Sequence, residues 1–456
     1  MSEKIEHIGT RDILWSYAAT FFMVGAGVII LPFILNKMSA EAVGIWNVFQ
    51  TISALVILLD FGFRPSFARN ISYIFTGVSS LQKEGVTSVS SHQQVDYSLL
   101  KGTLLSMQKF YKWIALTVFV FLSTAGTTYF AYILNKYTGN RTDAIIAWGL
   151  LVLINCYNLY TFYYDSLLLG KGYVKRNQQI TIVSQIIYIC TAIALIYTGF
   201  GLTAIVASQF IAIVIRRILT YRVFFTRDLQ DKLKSVEATD QSVIFQAIVP
   251  NATKIGLTYL GGFLVNKSAM LLGTMFLSLE QMGYYGITLQ VLDVLSRCAM
   301  VPYQAYTPKL AQCRAEQNVN NLRRYYLICI SCLWVVFIVG GAIWMLLGNW
   351  ALNIIHSQTR FVPTAMLCGM LIIGALEKNH AVSAGFILAD NKVPFFIPSL
   401  LSGAATICLL LLFLNPCHMG IWGLILAPGI AQLAYQNWKW PSVVIKELFI
   451  THHTNT

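Results

Sequence analysis

The chain has 456 residues; 11% are charged, as 32 Lys or Arg and 19 Asp or Glu, and 56% are apolar before its 31 glycines are counted. A soluble protein carries about 25% charged residues, so too little charge is present to coat a body of this size for water, and most of the surface must face lipid. A dozen helices of about 20 residues crossing a ~30 Å core take up roughly 240 residues, which leaves no room for a large soluble module such as an ATPase. The net charge of +13 needs no nucleic acid, because membrane proteins collect Lys and Arg on their cytoplasmic side.

Uncharged runs mark the spans in chain order. The first, 13–35, has 23 residues, longer than the 7–15 of a signal-peptide core, and reads as a retained membrane helix. Further runs cover 42–59, 113–135 and 144–164. The run 177–215 is broken by Gly199-Phe200-Gly201 into two helices. Three spans then carry charge: 254–277 holds Lys267, 283–307 holds Asp293 and Arg297, and 361–388 holds Glu377, Lys378 and His380. Between the last two lies 325–359, one helix with an outer loop. The run 393–438 breaks at Asn415-Pro416 into a final pair. The expected fold is therefore an all-α polytopic membrane protein of about 12 transmembrane helices.

Basic residues fix the orientation. With the N-terminus inside, 24 of the 32 Lys and Arg flank the cytoplasmic ends, Arg216 and Arg217 after the sixth span among them; only Lys37, Lys136, Arg141 and Arg360 lie outside. Both termini are then cytoplasmic. The outer loops are short; the substantial inner segments are 76–110 and 222–250, the latter joining the two halves. The nine cysteines lie mostly in apolar runs without a paired C-x-x-C and read as buried hydrophobes.

An internal repeat divides the chain. Ser39-Ala40-Glu41-Ala42-Val43-Gly44-Ile45-Trp46 and Ser278-Leu279-Glu280-Gln281-Met282-Gly283-Tyr284-Tyr285 share S-x-E-x-x-G-x-W/Y at an offset of 239 residues. Six spans separate the copies, so both halves enter the membrane in the same sense, a parallel repeat with a pseudo-two-fold along the membrane normal. The expected domains are two six-helix lobes, 1–234 and 235–456, with a binding cavity between them.

A charge at mid-span costs about 2.5–3.5 kcal/mol on insertion scales, so each needs a reason. Lys267 either pairs with another helix, Asp293 being the candidate, or binds an anionic substrate. Asp293 and Arg297 are spaced i,i+4 and can pair along one face. Glu377-x-x-His380 has the spacing of a carboxylate metal motif, but such sites need two copies and further carboxylates; a metal is not expected. Glu377 with His380 is either a protonatable couple or a structural pair. In the first half, Asp60, Arg64 and Asp165 lie towards helix ends, where snorkelling is cheap. Asn155, Asn158, Phe162 and Asp165 form a polar stripe on one helix face. No G-x-x-x-x-G-K-S/T phosphate loop occurs, so ATP is not the direct driver.

Residues 59–72, Leu-Asp-Phe-Gly-Phe-Arg-Pro-Ser-Phe-Ala-Arg-Asn-Ile-Ser, together with Leu376-Glu377-x-Asn379-His380 and Asn391-Lys392-Val393-Pro394-Phe395, resemble segments of Wzx-type lipid-linked oligosaccharide flippases. These belong to the multidrug/oligosaccharidyl-lipid/polysaccharide exporter superfamily, whose fold is MATE-like. The resemblance implies flipping of an undecaprenyl-pyrophosphate-linked O-antigen or capsule repeat unit across the bacterial inner membrane by alternating access, without catalysis or cofactor. It implies a cationic cavity for the pyrophosphate, to which Lys267, Arg297 and Arg64 are the candidates, and functional links to a polysaccharide polymerase and glycosyltransferases. Coupling to H+ or Na+ falls to Glu377, Asp293 or Asp60; Lys378, His380 and Asp165 complete the ion-pair candidates. The competing expectations are a drug or cation antiporter of the same superfamily and a membrane polymerase or acyltransferase. Short outer loops and a single mid-span histidine disfavour the enzyme.

Overall fold

The computed structural model describes residues 29–75, 95–315, 318–389 and 394–450, with isolated positions before residue 29. Most of the expected first span, residues 76–94 of the first inner loop, and Asn391, Lys392 and Val393 of the third family-like segment lie outside the described residues. Among the described residues the structure is helical and contains no strand. Among the described residues, eight helices are long and apolar enough to cross a membrane.

The end of the first helix, α1 (29–37), leads into α2 (Ala40–Leu58), α3 (Phe63–Phe75) and α4 (Tyr97–Phe121). A π-helical turn, Leu122–Gly126, joins α4 to α5 (Thr127–Asn135). There follow α6 (Arg141–Tyr160), α7 (Tyr163–Gly170), α8 (Val174–Tyr197), α9 (Leu202–Phe224) and a short α10 (Arg227–Lys234). The second half comprises α11 (Gln241–Phe276), α12 (Leu279–Ala315), α13 (Val319–Ile354), α14 (Thr364–Leu388), α15 (Phe396–Leu414), α16 (Ile421–Leu433) and α17 (Gln436–Ile445).

The uncharged runs locate the spans but understate the helices. α4 begins at Tyr97, well before the run at 113, and α11 begins at Gln241 instead of 254. Charge ends a membrane span without ending a helix, since Lys, Glu and Gln are good helix formers once the helix leaves the lipid. The expected loop 222–250 is accordingly mostly helical. What remains of it is pinned to α4: the Lys101 ammonium donates to the Val236 carbonyl at 2.7 Å, Ser98 Oγ donates to the Glu237 carbonyl at 2.5 Å, and Thr239 N–H donates to the Ser98 carbonyl at 3.2 Å. Gly102 permits this approach, because a Cβ there would stand 2.6 Å from the Thr239 carbonyl oxygen.

The chain forms two compact units, one of Met1–Lys37 with Ile52–Leu257 and one of Met38–Thr51 with Thr258–Thr456. Where the sequence divides the chain at 234/235, the units change over inside α11, and the first 12 residues of α2 pack with the second unit. In unit one α8 packs along α9, α3 along α7 and α6 along α9; in unit two α12 packs along α13, α15 along α16 and α14 along α17. The outward faces stay apolar: Val335, Ile338, Leu346 and Trp350 of α13 and Ile397 and Leu401 of α15 are exposed, as lipid-facing side chains are.

Candidate functional site

Three interruptions in long helices carry the polar groups. The first follows α2, where Phe61 (φ 45°) and Gly62 (φ 72°) turn the chain through left-handed backbone; glycine takes this without penalty and phenylalanine does not. Asp60 sits at that break and is 5% exposed. Both its carboxylate oxygens accept the Arg64 N–H at 3.2 Å, and the fully buried Tyr111 hydroxyl donates to Oδ1 at 2.5 Å. A carboxylate is well placed at a helix N-terminus, where orphan N–H groups need an acceptor. Arg64, one turn on, lays its guanidinium 4.6 Å from the centre of the Phe162 ring, and its carbonyl accepts from Ser166 Oγ at 2.9 Å.

The second interruption, Thr161-Phe162 between α6 and α7, separates Asn158 from Asp165. Asp165 Oδ1 receives Arg216 Nη2 at 3.1 Å and Arg217 Nη1 at 3.0 Å, and Arg217 Nη2 donates to Asn158 Oδ1 at 2.9 Å. The Arg217 side chain is only 3% exposed. Charge asymmetry assigns Arg216 and Arg217 to the cytoplasmic flank with no further task. The structure instead turns them into unit one, because α9 runs on to Phe224 and carries them two turns before its end. The stripe Asn158, Phe162, Asp165 marked this face in the sequence; its partners on another helix were not marked.

In unit two, Lys267 of α11 meets Asp293 of α12 at 3.5 Å, with both side chains well exposed (38% and 51%). Asp293 and Arg297 make no such pair. On α14 the Lys378 ammonium lies 2.8 Å from Glu377 Oε1, and Asn266 also hydrogen-bonds the Glu377 carboxylate. His380 Nδ1 lies 2.7 Å from Asn437 Oδ1, and Asn379 Oδ1 accepts from Trp334 Nε1 at 3.3 Å. Asn437 comes from the third interruption, between α16 and α17, where Tyr435 leaves helical geometry (φ −145°, ψ −56°) and Pro428 and Pro441 stand inside the flanking helices. Proline removes a backbone donor and clashes with the preceding turn. Beside Asn437, Gln436 donates to Ser402 Oγ at 2.9 Å. Asn437 and Gln436 lie in an apolar run that the sequence reading passed over.

Arg297 is exposed, and among the described residues it forms no ion pair or hydrogen bond; its charge opposes that of Lys378. The structure thus brings Asp293 to Lys267 and Glu377 to Lys378 in unit two, and Asp60 and Arg64 to adjoining positions in unit one, where Asp165 joins Arg216 and Arg217. Each cluster holds three cations, Arg64, Arg216 and Arg217 or Lys267, Arg297 and Lys378, against two carboxylates.

No family model and no curated protein matches the chain. Among solved structures, it is similar to an inward-facing multidrug-resistance MATE family transporter of the MOP superfamily, with a TM-score of 0.66 at 14% identity over 98% of both chains. The MATE multidrug transporter DinF-BH, solved in complex with a ligand, gives a TM-score of 0.64 at 17% identity, again over 98% of both chains. A MOP superfamily transporter from Pyrococcus furiosus, described as having a binding pocket of reversed polarity that suggests a different function, gives 0.54 at 14% identity over 97% of this chain and 95% of that one. The chain has the fold of the MATE transporters. The all-α, MATE-like membrane architecture expected from the sequence is therefore the one observed, with eight membrane-length helices among the described residues. Within the MATE fold, broken membrane helices are where polar backbone and side chains are tolerated, since irregular backbone survives at membrane depth only when buried in protein or lining a water-filled space.

Proposed function

We propose that this protein is a membrane transporter that flips a polyprenyl-pyrophosphate-linked oligosaccharide from the cytoplasmic to the outer leaflet of a bacterial inner membrane, with both termini cytoplasmic. The observation that carries this reading is Arg297: an exposed guanidinium on a membrane-length helix, without a counter-ion among the described residues and beside the cation Lys378. A charge in that position faces water or a ligand, not lipid. Three cations against two carboxylates suit an anionic head group, and guanidinium matches phosphate oxygens bidentately. Arg64, with its guanidinium over the Phe162 ring, is the corresponding group in unit one, and Lys267 contributes as the looser half of its pair with Asp293. The segments at 59–72 and 376–380 that resemble Wzx-type flippases contain Asp60, Arg64, Glu377 and His380, residues of these two clusters.

A drug or cation antiporter of the same fold is the competing reading. It requires carboxylates free to meet a cation, whereas Glu377 is held by Lys378 and Asn266, Asp293 by Lys267, and Asp165 by two arginines. Coupling to H+ or Na+ through Glu377, Asp293 or Asp60 belongs to the proposal, as do a role alongside a polymerase and glycosyltransferases and the absence of catalysis. The experiment is a proteoliposome assay that reads accessibility of a fluorescent lipid-linked oligosaccharide to an external quencher. Flipping by the wild type and its loss in Arg297→Ala are expected. Flipping unchanged in Arg297→Ala removes the site, and drug efflux without lipid flipping removes the substrate class.

A further inference from the structure

The break between α6 and α7 gathers three guanidinium groups. Arg64 and Arg217 lie over one phenyl ring, at 4.6 Å and 5.9 Å from the centre of Phe162. Arg216 and Arg217 share one oxygen of one carboxylate, Asp165 Oδ1. The other acid in reach, Asp60, is occupied by the α3 backbone N–H and the Tyr111 hydroxyl. Asp165 therefore pairs directly with Arg216 and Arg217, and the cluster sets three guanidinium groups against two carboxylates. Two of their donors are left over: Arg216 Nε and Arg217 Nε are buried and have no acceptor. Buried N–H groups are nearly always satisfied, and those of a charged group cost the most when they are not. The Arg216 side chain is 25% exposed and that of Arg217 is 3% exposed, so the pair opens outward at Arg216.

From this geometry we propose that Arg64, Arg216 and Arg217 form an oxyanion-binding subsite for a phosphate or pyrophosphate group that enters past Arg216. Asp165 is its resident counter-ion. It keeps the arginines in place when the subsite is empty and competes with the incoming anion for them. Three planar forks around one point offer a tetrahedral oxyanion more donors than a single carboxylate can accept. The subsite lies in unit one and shares Arg64 with the transport site proposed above, so that for Arg64 it rests on that reading, whereas Arg216 and Arg217 are its own. Its position near the end of α9, on the flank where basic residues concentrate, suits capture of an anion from the cytoplasmic side.

The test is equilibrium binding to the full chain in nanodiscs, in two arms that separate the sources of the phosphate group. One arm titrates soluble inorganic pyrophosphate against neutral lipid discs; the other raises the phosphatidic acid content of the discs and follows the thermal unfolding midpoint. Arg216→Gln weakens the response about tenfold, the loss of one charge-assisted fork, while Arg227→Gln, an exposed arginine on α10, leaves it unchanged. Asp165→Asn strengthens it, because the competing carboxylate is gone; a purely structural carboxylate gives no gain. A response confined to the pyrophosphate arm assigns a soluble anion or a detached head group, and one confined to phosphatidic acid assigns a lipid. No response in either arm, or equal loss in Arg216→Gln and Arg227→Gln, overturns the subsite. The flipping assay on Arg297→Ala reads unit two, so failure of either idea is recognisable apart from the other.

Discussion

Gly44 and Gly283 occupy the same position in the two copies of the sequence repeat, and they pack against each other's copies. A Cβ on Gly44 would collide with the carbonyl oxygen of Leu279, and a Cβ on Gly283 with that of Ala40. Ala40 and Leu279 are themselves equivalent at the 239-residue offset, so the contact is reciprocal, with residue i meeting j and j meeting i. The relation continues one turn on, where Gly286 lies against Asn47, its own equivalent, and Gln290 Nε2 donates to Asn47 Oδ1 at 2.6 Å. Small residues let helix backbones approach this closely in membranes.

Because backbone atoms oppose each glycine, neither helix can relieve an added side chain by a rotamer change. Gly44→Leu and Gly283→Leu should each destabilise by about 1–3 kcal/mol or more, read as a lowered thermal unfolding midpoint in detergent. Gly149→Leu is the control, since a Cβ there meets nothing within 4 Å, and it should stay within about 0.5 kcal/mol.

Asp165 and Asp293, each paired to a basic residue on another helix, differ in burial, and their variants should differ accordingly. Asp165→Ala strands Arg217, whose side chain is 3% exposed, and should cost about 3–5 kcal/mol. Lys267→Ala leaves an Asp293 side chain that is 51% exposed, and should cost no more than about 1 kcal/mol. Chemical or thermal unfolding of the two variants side by side checks this; equal losses would contradict the burial difference.

Tyr111→Phe removes one hydrogen bond to a buried carboxylate. Asp60 keeps the Arg64 N–H, so a loss of about 1.5–3 kcal/mol is expected. Asp60→Asn should cost at least as much, because the amide matches neither the helix N-terminus nor the tyrosine donor as well. If Tyr111→Phe melts at the wild-type temperature, the Tyr111 hydroxyl is not holding the α2–α3 break.

Gly102→Val pushes directly at the Thr239 carbonyl. The segment between α10 and α11 should lift from α4, and limited proteolysis between residues 235 and 241 should accelerate by at least about tenfold relative to the wild type. Lys101→Met, which removes one of three hydrogen bonds there, should have a smaller effect in the same direction.

Much of the architecture was legible in the order of the residues. The charge deficit and the lengths of the uncharged runs give the all-helical membrane fold that is observed, and the glycine repeat marks where α2 and α12 approach each other. Where the reading fell short, the reason lies in what a one-dimensional pattern records. Arg216 and Arg217 look like flank residues because hydropathy ends a span at the first charge, although the helix that carries them continues. Asp60 looks like a snorkelling helix-end charge, yet it caps a broken helix. Asp293 faces two basic candidates, Arg297 at i,i+4 and Lys267 on another helix, and pairs with Lys267.

The sequence alone determined that the chain is helical and built for lipid, because that follows from the transfer cost of charge and backbone into hydrocarbon, which depends on residue identity along the chain. Only the tertiary structure decided which charges are paired and which, like Arg297, have no ion-pair partner among the described residues. Ion pairing depends on distance and burial between helices far apart in sequence, and neither is written in the order of the residues.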